Sequence, residues 1–106
     1  MTTDRELLEL AAKAAGLRVR TWEGHSGARC AIDDGRHGLM WMPLTDDGDA
    51  LRLAVKTGEP FVVRSRCVTT MGGLMEDFDP AVSGDDLRAT RRAIVRAAAA
   101  IGKAMK

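Results

Sequence analysis

The C-terminal segment constrains the fold most, because it carries the longest helical pattern in the chain. Its apolar residues recur at spacings of seven, four, three and four positions: Leu87, Ile94, Ala98, Ile101 and Met105. Side chains at such spacings share one face of an α-helix. We therefore predict a helix over about residues 85–104, capped by Ser83 or Asp85, whose apolar face packs on the rest of the chain.

A second helix is predicted near the N-terminus, over about residues 4–15. Thr3 is a suitable N-cap, and Glu6 completes a capping box three positions later. Gly16 stands where a left-handed residue ends many helices. The apolar stripe of this helix contains Leu7, Leu10, Ala11, Ala14 and Ala15.

A third helix is predicted in the middle of the chain, over about residues 46–57. Thr45 or Asp46 caps it, and the acidic residues of its first turn suit the positive end of the helix dipole. We expect Leu51, Ala54 and Val55 to form its buried face. The helix should end at Gly58.

Short alternating or apolar segments between turn residues predict the strands. They cover residues 17–22, 29–32, 39–42 and 61–70, and Leu74-Met75 begins a candidate return strand. We expect turns at 24–27 and 33–35, where glycine and aspartate cluster. The order of elements predicts an α+β fold, with three helices packed on one small, mostly antiparallel sheet of three to five strands.

Length and composition favour a single domain over residues 1–106. The apolar fraction of 45% and the charged fraction of 29% are ordinary for a folded chain. Aromatic residues are scarce, so the core must consist mainly of aliphatic side chains and methionine. The residues that we predict to be buried together are Leu7, Leu10, Leu51, Phe61, Val63, Ile94, Ala98 and Ile101.

Charge and hydropathy bear on location and partners. The formal net charge is only +1, so no global electrostatic attraction to nucleic acid or membrane is expected. No apolar run is long enough to span a bilayer, and the polar start of the chain lacks the pattern of a signal peptide. We therefore expect a cytoplasmic protein with reduced cysteines.

Motifs for metal or cofactor binding are not evident. The acidic stretch Asp46-Asp47-Gly48-Asp49 resembles the start of a calcium loop, but Thr57 or Gly58 occupies the twelfth position, where an EF-hand needs glutamate. Helix capping explains these acids better. The four residues of zinc-ligand type lack paired spacing: His25, Cys30, His37 and Cys67. We expect no metal, no cofactor and no catalytic constellation, so the chain is not predicted to be an enzyme.

The strongest candidate site is an arginine ladder on the C-terminal helix. Its members are Arg88, Arg91, Arg92 and Arg96. Residues 85–106 hold six basic and two acidic side chains, a local charge of +4. Such a face binds phosphates or an acidic protein surface. The alternative, which we favour, is a solvated face whose arginines pair with acids elsewhere, such as those of residues 76–79.

Trp41 is the second candidate for partner binding. It lies between two methionines in Leu39-Met40-Trp41-Met42. Tryptophan and methionine are favoured at protein interfaces, but a buried core strand has the same pattern. We favour the core interpretation and keep Trp41 as a candidate.

Two segments resemble small proteins of bacteriophages and prophages. Residues 41–56, which open with Trp41-Met42-Pro43, are similar to a stretch in which an aromatic-x-proline loop precedes a helix. Residues 89–98 resemble the closing helix of the same proteins, and the order of elements is similar to that of the phage NinX group. Met42 departs from this pattern, which has asparagine there. The resemblance implies a phage origin and a shared fold, and it carries over no functional residues.

Three classes of function remain open. The first is a phage accessory protein that binds a protein partner, for instance an inhibitor of a host defence complex. The second is a nucleic-acid-binding protein that uses the C-terminal helix. The third is a small enzyme with Cys30 or Cys67 beside a histidine. The first is favoured because the chain is short and nearly neutral.

Overall fold

The computed structural model describes residues 3–33 and 39–105. Within these ranges lie three α-helices: α1 (Asp4–Ala14), α2 (Asp47–Thr57) and α3 (Asp85–Ala104). The strands are β1 (Val19–Gly24), β2 (Gly27–Ile32), β3 (Leu39–Met40), β4 (Phe61–Val63), β5 (Cys67–Thr70) and β6 (Met75–Asp77). The α+β class is confirmed. None of the described helices is both long and apolar enough to cross a membrane.

The strands form two antiparallel sheets rather than one. Sheet A has the order β1-β2-β3, and sheet B has the order β4-β5-β6. The single strand predicted over residues 61–70 is wrong, because the chain reverses direction within it and Phe61 pairs with Thr70. The reversal is closed by the Arg64 N–H, which donates to the Cys67 carbonyl at 2.8 Å. Arg64-Ser65-Arg66 contains neither glycine nor proline, so the turn had no clear sequence signal.

The ends of α1 follow the predicted capping chemistry. The Thr3 hydroxyl accepts the Glu6 N–H at 3.1 Å, and Gly16 is left-handed with φ +72°. The Leu17 N–H then bonds the Ala12 carbonyl and the Gly16 N–H bonds the Lys13 carbonyl, which is the Schellman arrangement. These bonds satisfy groups that the helix itself leaves unpaired.

The start of α3 differs from the prediction. Its N-cap is Gly84, with φ +81°, and not Ser83 or Asp85. Asp85 is instead the first helical residue, and its carboxylate accepts the Asp79 N–H at 2.8 Å. The acid therefore ties the preceding loop to the helix rather than capping it.

The core has two parts on either side of α3. The larger cluster joins α1, α2, α3 and sheet A, with Leu8, Cys30, Leu53 and Val95 among its buried residues. The smaller one consists of Val68, Ala89 and Ala93, between α3 and sheet B. Phe61 packs against both.

The predicted core is correct in part. Leu7, Ile94 and Ala98 are buried, and Leu10, Phe61 and Ile101 are partly buried. The prediction is wrong for Leu51 and Val63, which are 59% and 52% exposed. Val55, which was expected on the buried face of α2, is exposed as well. Leu87 and Met105 are also exposed at the ends of the predicted α3 stripe. The buried face of α3 consists mainly of small residues: Ala89, Ala93, Ile94, Val95, Ala97, Ala98, Ala99 and Gly102.

Helices α1 and α3 approach most tightly at Gly102. A Cβ atom at this position would overlap the Leu10 carbonyl group of α1. Glycine within a helix costs about 1 kcal/mol relative to alanine. The close backbone contact explains why the chain keeps glycine here.

Gly102→Ala should therefore destabilise the protein despite its higher helix propensity. We expect a loss of roughly 3 kcal/mol, the upper end of overpacking costs, because a backbone carbonyl cannot move away cheaply. Urea unfolding measures the change. Gly48→Ala is the matched control, since its Cβ would meet only the exposed side chains of Arg52 and Asp46, which can move, and no backbone atom. Equal effects of the two changes would contradict this account.

Candidate functional site

The arginine ladder of α3 faces β6 of sheet B. Arg88 donates to the Asp85 carboxylate at 2.6 Å and to the Asp77 carbonyl at 3.2 Å. Arg96 donates to the Met75 carbonyl at 3.2 Å and to the Glu76 carboxylate. The guanidinium groups thus bind the backbone of β6 on both sides of Glu76.

Glu76 is the shared acid of this contact. Its side chain is only 14% exposed, and it pairs with both Arg92 and Arg96. Arg92 also binds Asp4 at the start of α1, at 3.0 Å. Arg92 of α3 therefore links Glu76 of sheet B to Asp4 of α1.

Arg91 makes a separate connection to α2. Its guanidinium donates to the Leu44 carbonyl at 3.0 Å and to the Asp47 carboxylate at 2.7 Å. Asp47 lies in the first turn of α2. All four arginines of the ladder thus have partners in their own chain, as the favoured sequence interpretation expected.

Hydrogen bonding shifts the pKa values of Arg88 and of its partner Asp85. The Arg88 guanidinium, followed by the Asp79 N–H, holds the pKa of Asp85 below its usual range. The Asp85 carboxylate raises the pKa of Arg88 in turn. The two shifts have one common cause, the ion pair between Arg88 and Asp85.

The acids at the start of α2 are used in local structure. Asp46 accepts the Asp49 N–H at 2.8 Å as the N-cap. Asp49 accepts the Met42 N–H at 2.9 Å and pairs with Arg52. The capping interpretation is confirmed. Within residues 3–33 and 39–105, no three metal-binding side chains cluster together.

Trp41 lies in the core, where only 5% of it is exposed. The backbone N–H of Trp41, one residue beyond the end of β3, donates to the Cys30 carbonyl at 2.9 Å. The predicted strand over 39–42 is therefore too long, because β3 ends at Met40 and the Thr45 and Asp46 N–H groups bond the Met42 carbonyl in a turn. The core interpretation of Trp41 is therefore confirmed. Its side chain is not available to a partner in this conformation, so the prediction that Trp41 binds a partner is corrected.

The two cysteine candidates lie on different sheets, Cys30 in β2 and Cys67 in β5. Cys30 is buried in β2, where burial, followed by the charge of Glu9, raises the pKa of its thiol to about 11. Such a thiol is protonated at neutral pH and therefore a poor nucleophile. Cys67 lies on sheet B, His25 is exposed in the β1–β2 turn, and His37 lies outside the described residues.

A groove between α1 and α3 has a volume of about 330 Å³. Aliphatic side chains from both helices line it, joined by Leu74. Its polar rim is basic: Arg92, Arg96 and Lys103. This lining combines no acid with a histidine or thiol, so it offers no general acid–base pair.

Exposed apolar surface is the feature that sequence reasoning missed. On α2, Leu51 and Val55 are 59% and 75% exposed. On β4, Val62 and Val63 are 53% and 52% exposed. The helical or strand spacing of Leu51, Val55 and Val63 predicts burial, but periodicity alone does not tell which of two faces packs on the core.

Comparison with models of known protein families, with curated proteins and with solved structures finds no match. The candidate surfaces therefore stand on the geometry of this chain.

Glu76→Gln should destabilise the protein by about 1.5–3 kcal/mol, the usual range for hydrogen bonds to charged groups. The change leaves Arg92 and Arg96 facing a neutral amide in a partly buried site. Chemical denaturation measures the effect. Asp77→Asn is the control on the same strand, because the Asp77 residue is exposed and its tie to Arg88 runs through the backbone. A loss no larger than that of the control would show that the shared acid contributes little.

Cys30 should resist alkylation in the folded protein while the partly exposed Cys67 reacts. In urea both thiols should react at similar rates.

The raised pKa of Cys30 also makes the free energy of unfolding depend on pH. The contribution of this thiol is complete below the unfolded pKa of 9.0 and is lost as pH rises toward about 11, because the unfolded thiol ionises first. Cys30→Ala should lack this decline. Rapid native-state labelling of Cys30 would contradict its burial.

Proposed function

We propose that the protein acts without catalysis, by binding another protein through the exposed face of α2. The observation that carries the proposal is the pair Leu51 and Val55, whose side chains lie four residues apart on one line of the helix. The opposite face of α2 already packs in the core through Ala50, Leu53 and Ala54. The exposed side chains of Leu51 and Val55 thus contribute little to the packing of the core.

The spacing of this pair suits recognition of a helix by a groove. Apolar anchors at i and i+4 are the usual contacts of an amphipathic helix that lies in a hydrophobic groove. Lys56 is exposed beside Val55, so an acidic rim on the partner would complement it. The partner that fits is a protein with an apolar groove bordered by carboxylates.

We extend the proposal to a biological setting. The resemblance of residues 41–56 and 89–98 to phage NinX-like proteins implies a phage origin, and on that basis we propose that the chain is a phage accessory protein of the host cytoplasm. A partner in a host complex, such as a defence system, is our own extension of this proposal.

The alternative, nucleic-acid binding by α3, has less support. The four arginines would have to exchange their bonds to Asp4, Asp47, Glu76 and Asp85 for phosphates. Fluorescence anisotropy with labelled duplex and single-stranded DNA at about 100 mM salt tests it, where non-specific binders show micromolar or weaker affinity. Tight binding that is lost in a triple Arg88, Arg92 and Arg96 to Glu variant with an intact fold would favour this alternative.

The proposed function predicts a partner whose capture depends on α2. Affinity capture from lysogenic host cells, read by quantitative mass spectrometry, should recover it with the wild-type chain. Leu51→Glu with Val55→Glu should lose it, because two charges would enter the apolar groove. Val82→Glu, a change at another exposed apolar position, should retain it. Identical protein sets from all three chains would contradict the proposal.

A further inference from the structure

The outer edge of β4 carries backbone groups that point away from β5. The Arg64 N–H donates to Cys67 and the Met71 N–H donates to Pro60, while Val62 lies opposite Thr69. Hydrogen-bonded pairs alternate along an antiparallel ladder. Residues 60, 62 and 64 therefore bond to β5, and the N–H and carbonyl groups of Phe61 and Val63 point away from the sheet.

The opposite edge of sheet B is closed by α3. By the same alternation, Met75 and Asp77 are the outward residues of β6, because the Thr70 N–H bonds Leu74 and the Phe78 N–H bonds Arg66. Their carbonyls accept from Arg96 and Arg88. Guanidinium groups thus cover one edge. On the other, β4 packs mainly on β5 and α3, and no strand of the described ranges pairs beyond it.

Strand β4 also lacks the usual protections of an open edge. Such edges carry charged side chains, outward-facing proline, bulges or a covering element. Phe61-Val62-Val63 contains no charge, and Val62 and Val63 are both about half exposed. Pro60 does not block pairing, because its missing N–H would face β5 and not the outer edge.

We propose that the edge of β4 binds β4 of a second copy of this chain, antiparallel about a twofold axis at Val62. In that register Phe61 of each copy lies opposite Val63 of the other. These are the two residues whose backbone groups point outward, so the pairs Phe61–Val63 and Val63–Phe61 each exchange two hydrogen bonds. Sheet B then continues across the axis as one six-stranded antiparallel sheet.

The side chains are compatible with this register. Val62 meets Val62 of the second copy in the closely spaced, non-hydrogen-bonded position, where β-branched pairs are favourable. Arg64 lies opposite Pro60, so the pairing sets no like charges against each other. A second copy of β4 presents its own outward N–H and carbonyl groups in the matching register, so each of these groups finds one partner across the axis without opposing like charges. Self-association is therefore the occupant that the edge fits best.

The test is sedimentation equilibrium of the full chain from low to high micromolar concentration. We expect a reversible monomer–dimer equilibrium. Val62→Lys should weaken dimerisation at least tenfold, because it sets two like charges opposite each other at the axis. Val82→Lys, at a valine of the same exposure in the loop before α3, is the matched control and should leave the equilibrium unchanged. A monomer at every concentration, or equal weakening by the two variants, would overturn the proposal.

Hydrogen exchange supplies a second readout that depends on the alternation itself. The amides of Phe61 and Val63 should gain protection as concentration rises. The Val62 amide, bonded to Thr69 within one chain, should be protected at all concentrations. Protection of Phe61 and Val63 that does not depend on concentration would contradict pairing at this edge. Neither experiment uses the α2 face, so its result is separate from that of the partner-capture experiment.

Discussion

The contact between the arginines of α3 and strand β6 is the interaction on which sheet B depends. The apolar cluster beneath this sheet holds only three fully buried residues, so burial alone gives it a small share of the stabilisation. Glu76 supplies a carboxylate shared by two guanidinium groups, and the outward carbonyls of β6 accept from two arginines. Charged hydrogen bonds of this kind are stronger than neutral ones, and their mutual satisfaction offsets the cost of partial burial.

The same ladder organises the rest of the fold. Arg92 reaches α1 through Asp4, and Arg91 reaches α2 through Asp47. Helix α3 is therefore bound by apolar contacts on its alanine-rich face and by ion pairs along its sides. A consequence is an asymmetric sheet B, whose β6 edge is closed by side chains of α3 while its β4 edge faces solvent. The residues proposed for binding, Leu51 and Val55 on α2 and Phe61 to Val63 on β4, are not members of this network.

The helices and the caps of α1 and α2 could be predicted from the sequence, because capping chemistry is local, whereas the cap of α3 was not predicted correctly. Thr3, Asp46, Gly16 and Gly58 act where their residue types suggested. The reversal at Arg64–Arg66 could not be predicted, since neither glycine nor proline marks it and the residues on either side continue a strand pattern. The α2 face was misjudged for a different reason. Small Ala50 and Ala54 pack beside Leu53, and sequence periodicity gave more weight to the larger Leu51 and Val55.

The candidate site was anticipated only as a set of alternatives. The sequence showed a basic helix and an acidic segment at residues 76–79, and it could not show which arginine meets which acid. That pairing depends on the strand β6, whose position is set by the reversal that the sequence did not reveal. Trp41 illustrates the same limit, because a buried core strand and an exposed binding strand have the same apolar pattern.

Residue-resolved hydrogen exchange on Arg96→Gln tests the central role of the ladder most directly. The Thr70 and Phe78 amides report on β5 and β6, and the Asp33 and Trp41 amides report on sheet A. If the ladder holds sheet B in place, Thr70 and Phe78 should lose protection while Asp33 and Trp41 keep theirs, as in a local opening. Unchanged protection at Thr70 and Phe78, or an equal loss at all four amides, would contradict the account.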